Sequence, residues 1–200
     1  AVPEGSIVPP HNTLMTVENT CPQCWWVTNF FETLLVQSWY PITVATQSRA
    51  IKQVIKGFLE KTGDPAGLPF KLHDFGYRGV TCPEQAMLGG MAHLVSFKGT
   101  DTIPAIIGAR NYYGEKMAGF SIPASEHSTI TSWGREGEAQ AYENMLDAYP
   151  DDAMIACVSD SFNVFEACEK LWGTLLRDKV MKRKGTLVIR PDSGEATDVV

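Results

Sequence analysis

Two hundred residues, 44% of them apolar and including five Trp and nine Phe, suffice for a sizeable core and exclude a disordered chain. A net charge of -6 with Lys and Arg scattered excludes a general nucleic-acid surface, and no apolar stretch is long enough to span a bilayer. Five cysteines, an odd number, argue against a secreted disulfide framework and make a reducing cytoplasm the default location. The chain starts without Met and stops just after a helix-start signal, so both ends are read as cuts within a longer chain.

The first 18 residues are Pro-rich and read as loop or edge structure. Thr20-Cys21-Pro22-Gln23 fits a helix start, and a helix rich in Trp25, Trp26, Phe30, Phe31, Leu34 and Leu35 is expected through about Ser38. Cys21-Pro22-Gln23-Cys24 invites a redox or zinc reading, but no second pair stands at ligand spacing and the pair straddles this helix start. Pro41 leads into an expected short strand, Ile42 to Ala45. Ile51, Val54, Ile55, Phe58 and Leu59 then give a helix with one buried stripe. Gly63 to Gly67 is a breaker and the expected boundary between two domains, 1-67 and 68-200.

After Pro69 strands and helices alternate. Strands are expected over Phe70–Tyr77, His93–Phe97, Gly119–Ile122, Met154–Val158 and Thr186–Arg190. Between them the pattern predicts a helix opened by a capping box at Thr81-Cys82-Pro83-Glu84, one from about Thr102 to Tyr113, and helices between Glu126 and Tyr149. A long helix from Ser161 to about Met181 follows, with the basic run Lys179 to Lys184 complementing its C-terminal dipole, and another begins near Gly194. This rhythm implies an α/β fold with a parallel sheet. No Gly-x-Gly-x-x-Gly or Gly-x-x-x-x-Gly-Lys signature follows any strand, which favours a barrel-like (β/α) arrangement over a Rossmann or P-loop one.

In such folds the site lies at the C-terminal strand ends. Here those ends read Asp74-Phe75-Gly76-Tyr77-Arg78-Gly79, Lys98-Gly99-Thr100-Asp101, Ser121 to His127, Ser159-Asp160-Ser161 and Arg190-Pro191-Asp192-Ser193-Gly194. A strand-end Asp is often only a helix N-cap, so the signal is the coincidence of five such ends. If the strands share a barrel, the residues converge on one pocket. Arginines there would grip phosphate oxygens, carboxylates would accept from sugar hydroxyls or hold Mg2+, and an aromatic face would stack a flat ring. The expected ligands are a phosphorylated sugar and a flat heterocycle.

At these residues the chain resembles the nicotinamide phosphoribosyltransferases. The resemblance rests on Thr16 to Thr20, Gln37 to Ala45, Lys71 to Val80 (KLHDFGYRGV), Phe97 to Thr102, Ser121 to Ile130 (SIPASEHSTI), Val158 to Ser161 and Ile189 to Gly194 (IRPDSG), in collinear order. It implies a type II phosphoribosyltransferase with a (β/α) barrel-like domain, part of a second α/β domain, and a homodimer with shared active sites completed by residues outside these 200. It implies transfer from phosphoribosyl pyrophosphate to nicotinamide, giving nicotinamide mononucleotide and pyrophosphate in NAD biosynthesis, with Mg2+ and with ATP as coupled co-substrate.

By the same resemblance Phe75 stacks the pyridine, Arg78 serves the pyrophosphate, and Asp101 accepts from the carboxamide. His127 is the residue phosphorylated during ATP hydrolysis, Arg190 touches nicotinamide and phosphate, and Asp192 accepts from ribose hydroxyls. Ser121, Ile122, Ser159 and Val188 line the pocket, and no residue is assigned as a protein metal ligand. His11, His73 and His93 are expected to be structural. Asn163 stands where the family pattern leads one to expect an acidic residue. Two rivals remain: a nicotinate phosphoribosyltransferase, which a carboxylate at Asp101 would disfavour by like-charge repulsion, and a non-catalytic interaction protein that keeps the fold.

Overall fold

A computed structural model describes residues 1–200 and divides them into two compact units, 1–120 and 121–200. The fold is mixed α/β, all strand pairing is parallel, and no helix is long and apolar enough to cross a membrane.

The first unit is mainly helical. A 3-10 turn at Pro22–Cys24 precedes α1 (Val27–Val36), so the expected single helix from Thr20 to Ser38 is broken in two. The expected strand at Ile42–Ala45 is instead the start of α2 (Trp39–Thr62). Pro41 sits in the first turn, where its missing N–H costs nothing. The Thr43 and Thr46 hydroxyls turn back to the carbonyls four residues earlier, at 2.7 Å each, so the β-branched run is accommodated in helix. Gly63 ends α2, and Pro65–Phe70 forms a 3-10 turn.

Of the expected strand at 70–77, only β1 (His73–Asp74) forms, and a 3-10 turn at Gly76–Gly79 follows. Next comes α3 (Pro83–Leu94), whose cap is Cys82 without a side-chain bond; the Thr81 N–H and hydroxyl both reach Gln85 Oε1. His93–Phe97 is not a strand. His93 closes α3, and its carbonyl accepts from the N–H groups of Ser96 and Phe97. The strand is β2 (Gly99–Thr100), paired with β1 and followed by α4 (Ile103–Tyr113). Of the strand expected at 119–122, only a bridge from Phe120 to Gly99 forms.

Close helix contacts hold this unit together. A methyl at Gly90 would lie 2.5 Å from the Ala105 Cβ, so glycine lets α3 and α4 touch. His93 is buried between α3 and α2, with Nδ1 3.3 Å from Ser48 Oγ and Nε2 3.1 Å from the Gly99 carbonyl. Because α2 packs on α3, the boundary expected at Gly67 falls inside this unit.

In the second unit, α5 (His127–Thr131) and α6 (Glu138–Ala148) cover β3 (Ile155–Val158), whose four residues are all buried. The last strand, β4 (Leu187–Arg190), pairs with β3, and Ala124 bridges Ala156 on the other side. The long helix expected from Ser161 to Met181 is three segments: α7 (Val164–Glu166), a π-helical stretch Ala167–Leu175, and α8 (Arg177–Lys182). The chain ends in α9 (Ala196–Val199).

The π turn places buried Trp172 flat against Tyr142, ring centres 4.5 Å apart, with its N–H on Ser159 Oγ at 3.0 Å. Tyr142 in turn donates to buried Glu138. A methyl at Gly173 would lie 2.7 Å from the Cys168 carbonyl, the i−5 position that the widened turn brings in.

Candidate functional site

Three loops of the second unit meet at His127. Glu126 caps α5 reciprocally with Thr129, which fixes His127 as the first helical residue. Its Nε2 lies 2.9 Å from Asp160 Oδ1, and its Nδ1 3.8 Å from Asp192 Oδ2. Asp160 sits just past β3 with only 4% of its side chain exposed. Its other oxygen accepts from the Asp192 N–H (2.8 Å) and the Ser193 hydroxyl (2.6 Å). Burial opposes its ionisation, but the bonds from Ser193, the Asp192 amide and His127 outweigh burial and hold its carboxyl below the usual range. One carboxylate therefore ties the loops before α5, after β3 and after β4.

Arg190 ends β4 with Nη2 donating to the Ser125 carbonyl at 3.0 Å. Its Nε is buried without a hydrogen-bond partner. A buried, unpaired donor on a cation costs free energy until an acceptor arrives, so this edge of the guanidinium is suited to an anionic oxygen.

The first unit repeats the pattern at smaller scale. Asp74, at the end of β1, accepts from the Gly76 N–H at 2.7 Å and from the Thr100 hydroxyl at 3.3 Å, bracing the loops after β1 and β2. Phe75 projects next to it, half exposed, its ring 4.6 Å from that of His73. Arg78 lies exposed in the 3-10 turn that follows. Asp101 is exposed, and its carboxylate makes no cap bond to α4, so capping does not account for it. His73 Nε2 stands 3.2 Å from Asp101 Oδ1 but off line for a hydrogen bond.

Of the residues expected at the site, His127, Arg190 and Asp192 come together in the second unit, and Phe75, Arg78 and Asp101 occupy the strand-end loops of the first. Ser121, Ile122 and Val188 are exposed. Ser159 is fully buried; its hydroxyl donates to the Cys157 carbonyl and accepts from Trp172, so it anchors the strand end and offers no hydroxyl to a ligand. Asn163 caps α7, its Oδ1 accepting from the Glu166 N–H at 2.9 Å, a task that needs no charge. Sequence reasoning passed over Asp74 and Asp160, the two carboxylates that brace the loops. Both lie inside stretches singled out for other residues, so position at a strand end was the available signal.

A family model described as "Nicotinate phosphoribosyltransferase (NAPRTase) family" matches residues 70–200. Similar curated proteins include a nicotinamide phosphoribosyltransferase of Xanthomonas campestris pv. campestris, 55% identical over 203 residues that cover 100% of this chain and 43% of the relative. Another from Acinetobacter baylyi is 32% identical over 100% of this chain and 41% of its own length. One from Mycoplasma pneumoniae is 30% identical over 91% of this chain and 38% of its own length. The chain thus spans about two fifths of the curated relatives it matches.

Proposed function

Since the chain belongs to the nicotinate phosphoribosyltransferase family, we propose that its protein transfers a phosphoribosyl group from phosphoribosyl pyrophosphate to nicotinamide, forming nicotinamide mononucleotide and pyrophosphate for NAD biosynthesis. The observation that carries the reading is Arg190, tethered through Nη2 while its buried Nε lacks an acceptor. The name shared by the relatives supports nicotinamide as the acceptor substrate.

The pyridine nitrogen attacks the anomeric carbon as the bond to pyrophosphate breaks. That nitrogen carries no proton, so no general base is needed, and catalysis rests on orientation and on stabilising the departing charge. Arg78 and Arg190 take the phosphate oxygens. Phe75 offers a face to the pyridine, Asp101 accepts from the carboxamide, Asp192 accepts from ribose hydroxyls, and Ser121, Ile122 and Val188 border the substrates. His127 receives the phosphoryl group of ATP in the coupled hydrolysis. Asp160 at Nε2 favours the tautomer protonated there, which leaves the lone pair on Nδ1.

Mg2+ suits this donor set. Such a cation keeps several waters and is held largely by substrate phosphates and by one or two carboxylates. Beside its ribose contacts, Asp192, with about half its side chain exposed, would offer the ion a carboxylate oxygen, and the ion would supply charge neutralisation at the pyrophosphate.

The same reading includes the type II barrel-like architecture, a homodimer and a cytoplasmic location. The helix α1 buries none of its residues and leaves Phe30, Phe31 and Leu34 exposed, which supports a partner surface there. Five unpaired cysteines suit a reducing compartment.

The test supplies the full-length protein with phosphoribosyl pyrophosphate, Mg2+, ATP and equal nicotinamide and nicotinate, and weighs the products. Nicotinamide mononucleotide is expected to dominate. Asp101→Asn is expected to narrow the preference, because a neutral amide no longer repels the carboxylate of nicotinate. Nicotinate mononucleotide as sole product would keep the family and overturn the acceptor assigned to Asp101, and neither product from a folded protein would turn the reading towards a non-catalytic role.

A further inference from the structure

The sequence Cys21-Pro22-Gln23-Cys24 is not absorbed into a helix start, since its 3-10 turn closes before α1 begins. We propose that Cys21 and Cys24 form a reversible dithiol–disulfide site for low-molecular-weight disulfides, with Cys21 as the attacking thiol and Cys24 as the resolving one.

The turn is already shaped for ring closure. The Cys24 N–H donates to the Cys21 carbonyl at 3.0 Å. Such a turn holds its first and fourth Cα atoms within about 7 Å, and a disulfide asks for roughly 4.4–6.8 Å. Asn19 clamps both ends, its Oδ1 accepting from the Cys21 N–H at 2.7 Å and its Nδ2 donating to the Cys24 carbonyl at 2.6 Å. Pro22 fixes the backbone between the two thiols.

Both thiols are exposed, so a small disulfide reaches them without unfolding. They differ in readiness to react. The backbone N–H of Gln23, then the Cys24 thiol and its backbone N–H, hold the Cys21 thiol below its ordinary value, which raises its thiolate fraction. The remaining cysteines lack this arrangement. Burial pushes the Cys157 thiol up to about 11, while Cys82 and Cys168 have no second cysteine within three residues. No third metal-binding side chain joins the pair, so disulfide chemistry is favoured over metal binding.

The chemistry balances. The Cys21 thiolate attacks one sulfur of the small disulfide, a mixed disulfide forms, and one small thiol leaves. The Cys24 thiolate attacks Cys21 Sγ, closing the protein disulfide and releasing the second thiol. The dithiol loses two electrons and two protons, and the small disulfide gains them.

The experiment exposes the full-length protein to oxidised glutathione and follows the peptide containing both residues by mass. Wild type is expected to lose two hydrogens and to regain them with dithiothreitol. Cys24→Ser is expected to trap a glutathione adduct on Cys21, and Cys21→Ser to form no ring and to take up glutathione on Cys24 several-fold more slowly. Absence of the trapped adduct, a persistent open adduct in wild type, or equal rates at Cys82 and Cys168 would each overturn the proposal. The readout is the mass of a peptide, so it stands apart from the transferase reading.

Discussion

Asp160 does more than pair with a histidine. Its two oxygens serve His127, the Asp192 amide and the Ser193 hydroxyl together. Replacing it by Asn keeps the size but removes the charge and one acceptor, so either His127 loses the acceptor that fixes its tautomer or the turn after β4 loses its brace, and the bonds that remain are weaker. A hydrogen bond to a charged group is worth about 1.5–3 kcal/mol, or about 10–100-fold in rate. Asp160→Asn is therefore expected to lower the ATP-stimulated rate of the full-length enzyme by that factor and to change the unstimulated rate much less. A ratio of the two rates equal to wild type would remove Asp160 from this role. Asp101 marks the limit of reading at this scale: the strand-end pattern found it, yet only the structure shows that α4 is capped without its carboxylate.

Among the elements, the π-helical stretch is the least ordinary. Its glycine is held close to the backbone, since a methyl at Gly173 would collide with the Cys168 carbonyl. Gly173→Ala is expected to cost about 1–3 kcal/mol, the usual range for overpacking, read as a lower urea midpoint. A neutral or stabilising result would show that the segment can revert to ordinary helix. The sequence pattern predicts one helix here because apolar spacing does not report a shift from i−4 to i−5 bonding. The same limit explains Ile42–Ala45: local β propensity points to a strand, while the surrounding helix and two threonine back-bonds decide otherwise. β3 was legible because a continuous apolar run bounded by turn residues describes a buried parallel strand, and β4, which is only partly buried, was legible from its Leu-Val-Ile run. β1 and β2 have two residues each, too few for a period to show.

For the molecule as a whole, pH acts on stability through the first unit's buried His93. Burial lowers its folded-state value from 6.5, against a smaller opposing pull from Asp74. The unfolded chain then binds the proton first, so the stability His93 contributes is fully present above about pH 6.5 and is lost as pH falls through that value towards the lower folded one. A urea midpoint that drops between pH 8 and pH 5.5 is expected, and His93→Gln is expected to flatten the drop; an equal drop in the variant would assign the effect to other groups. The packing of α2 on α3 across Gly63 to Gly67 is a contact between segments distant in sequence, which local breaker residues do not report.

The cluster around Asp160 also bears on folding order. Its bonds join residues 33 and 32 positions apart in the chain, so each closes a loop of appreciable entropy that the bond alone does not repay. The pairing of β3 with β4 supplies the missing free energy. The cluster is therefore expected to form after β3 and β4 pair, and pulse-labelled hydrogen exchange during refolding checks it: protection of the Asp192 amide before the β4 amides would reverse the order.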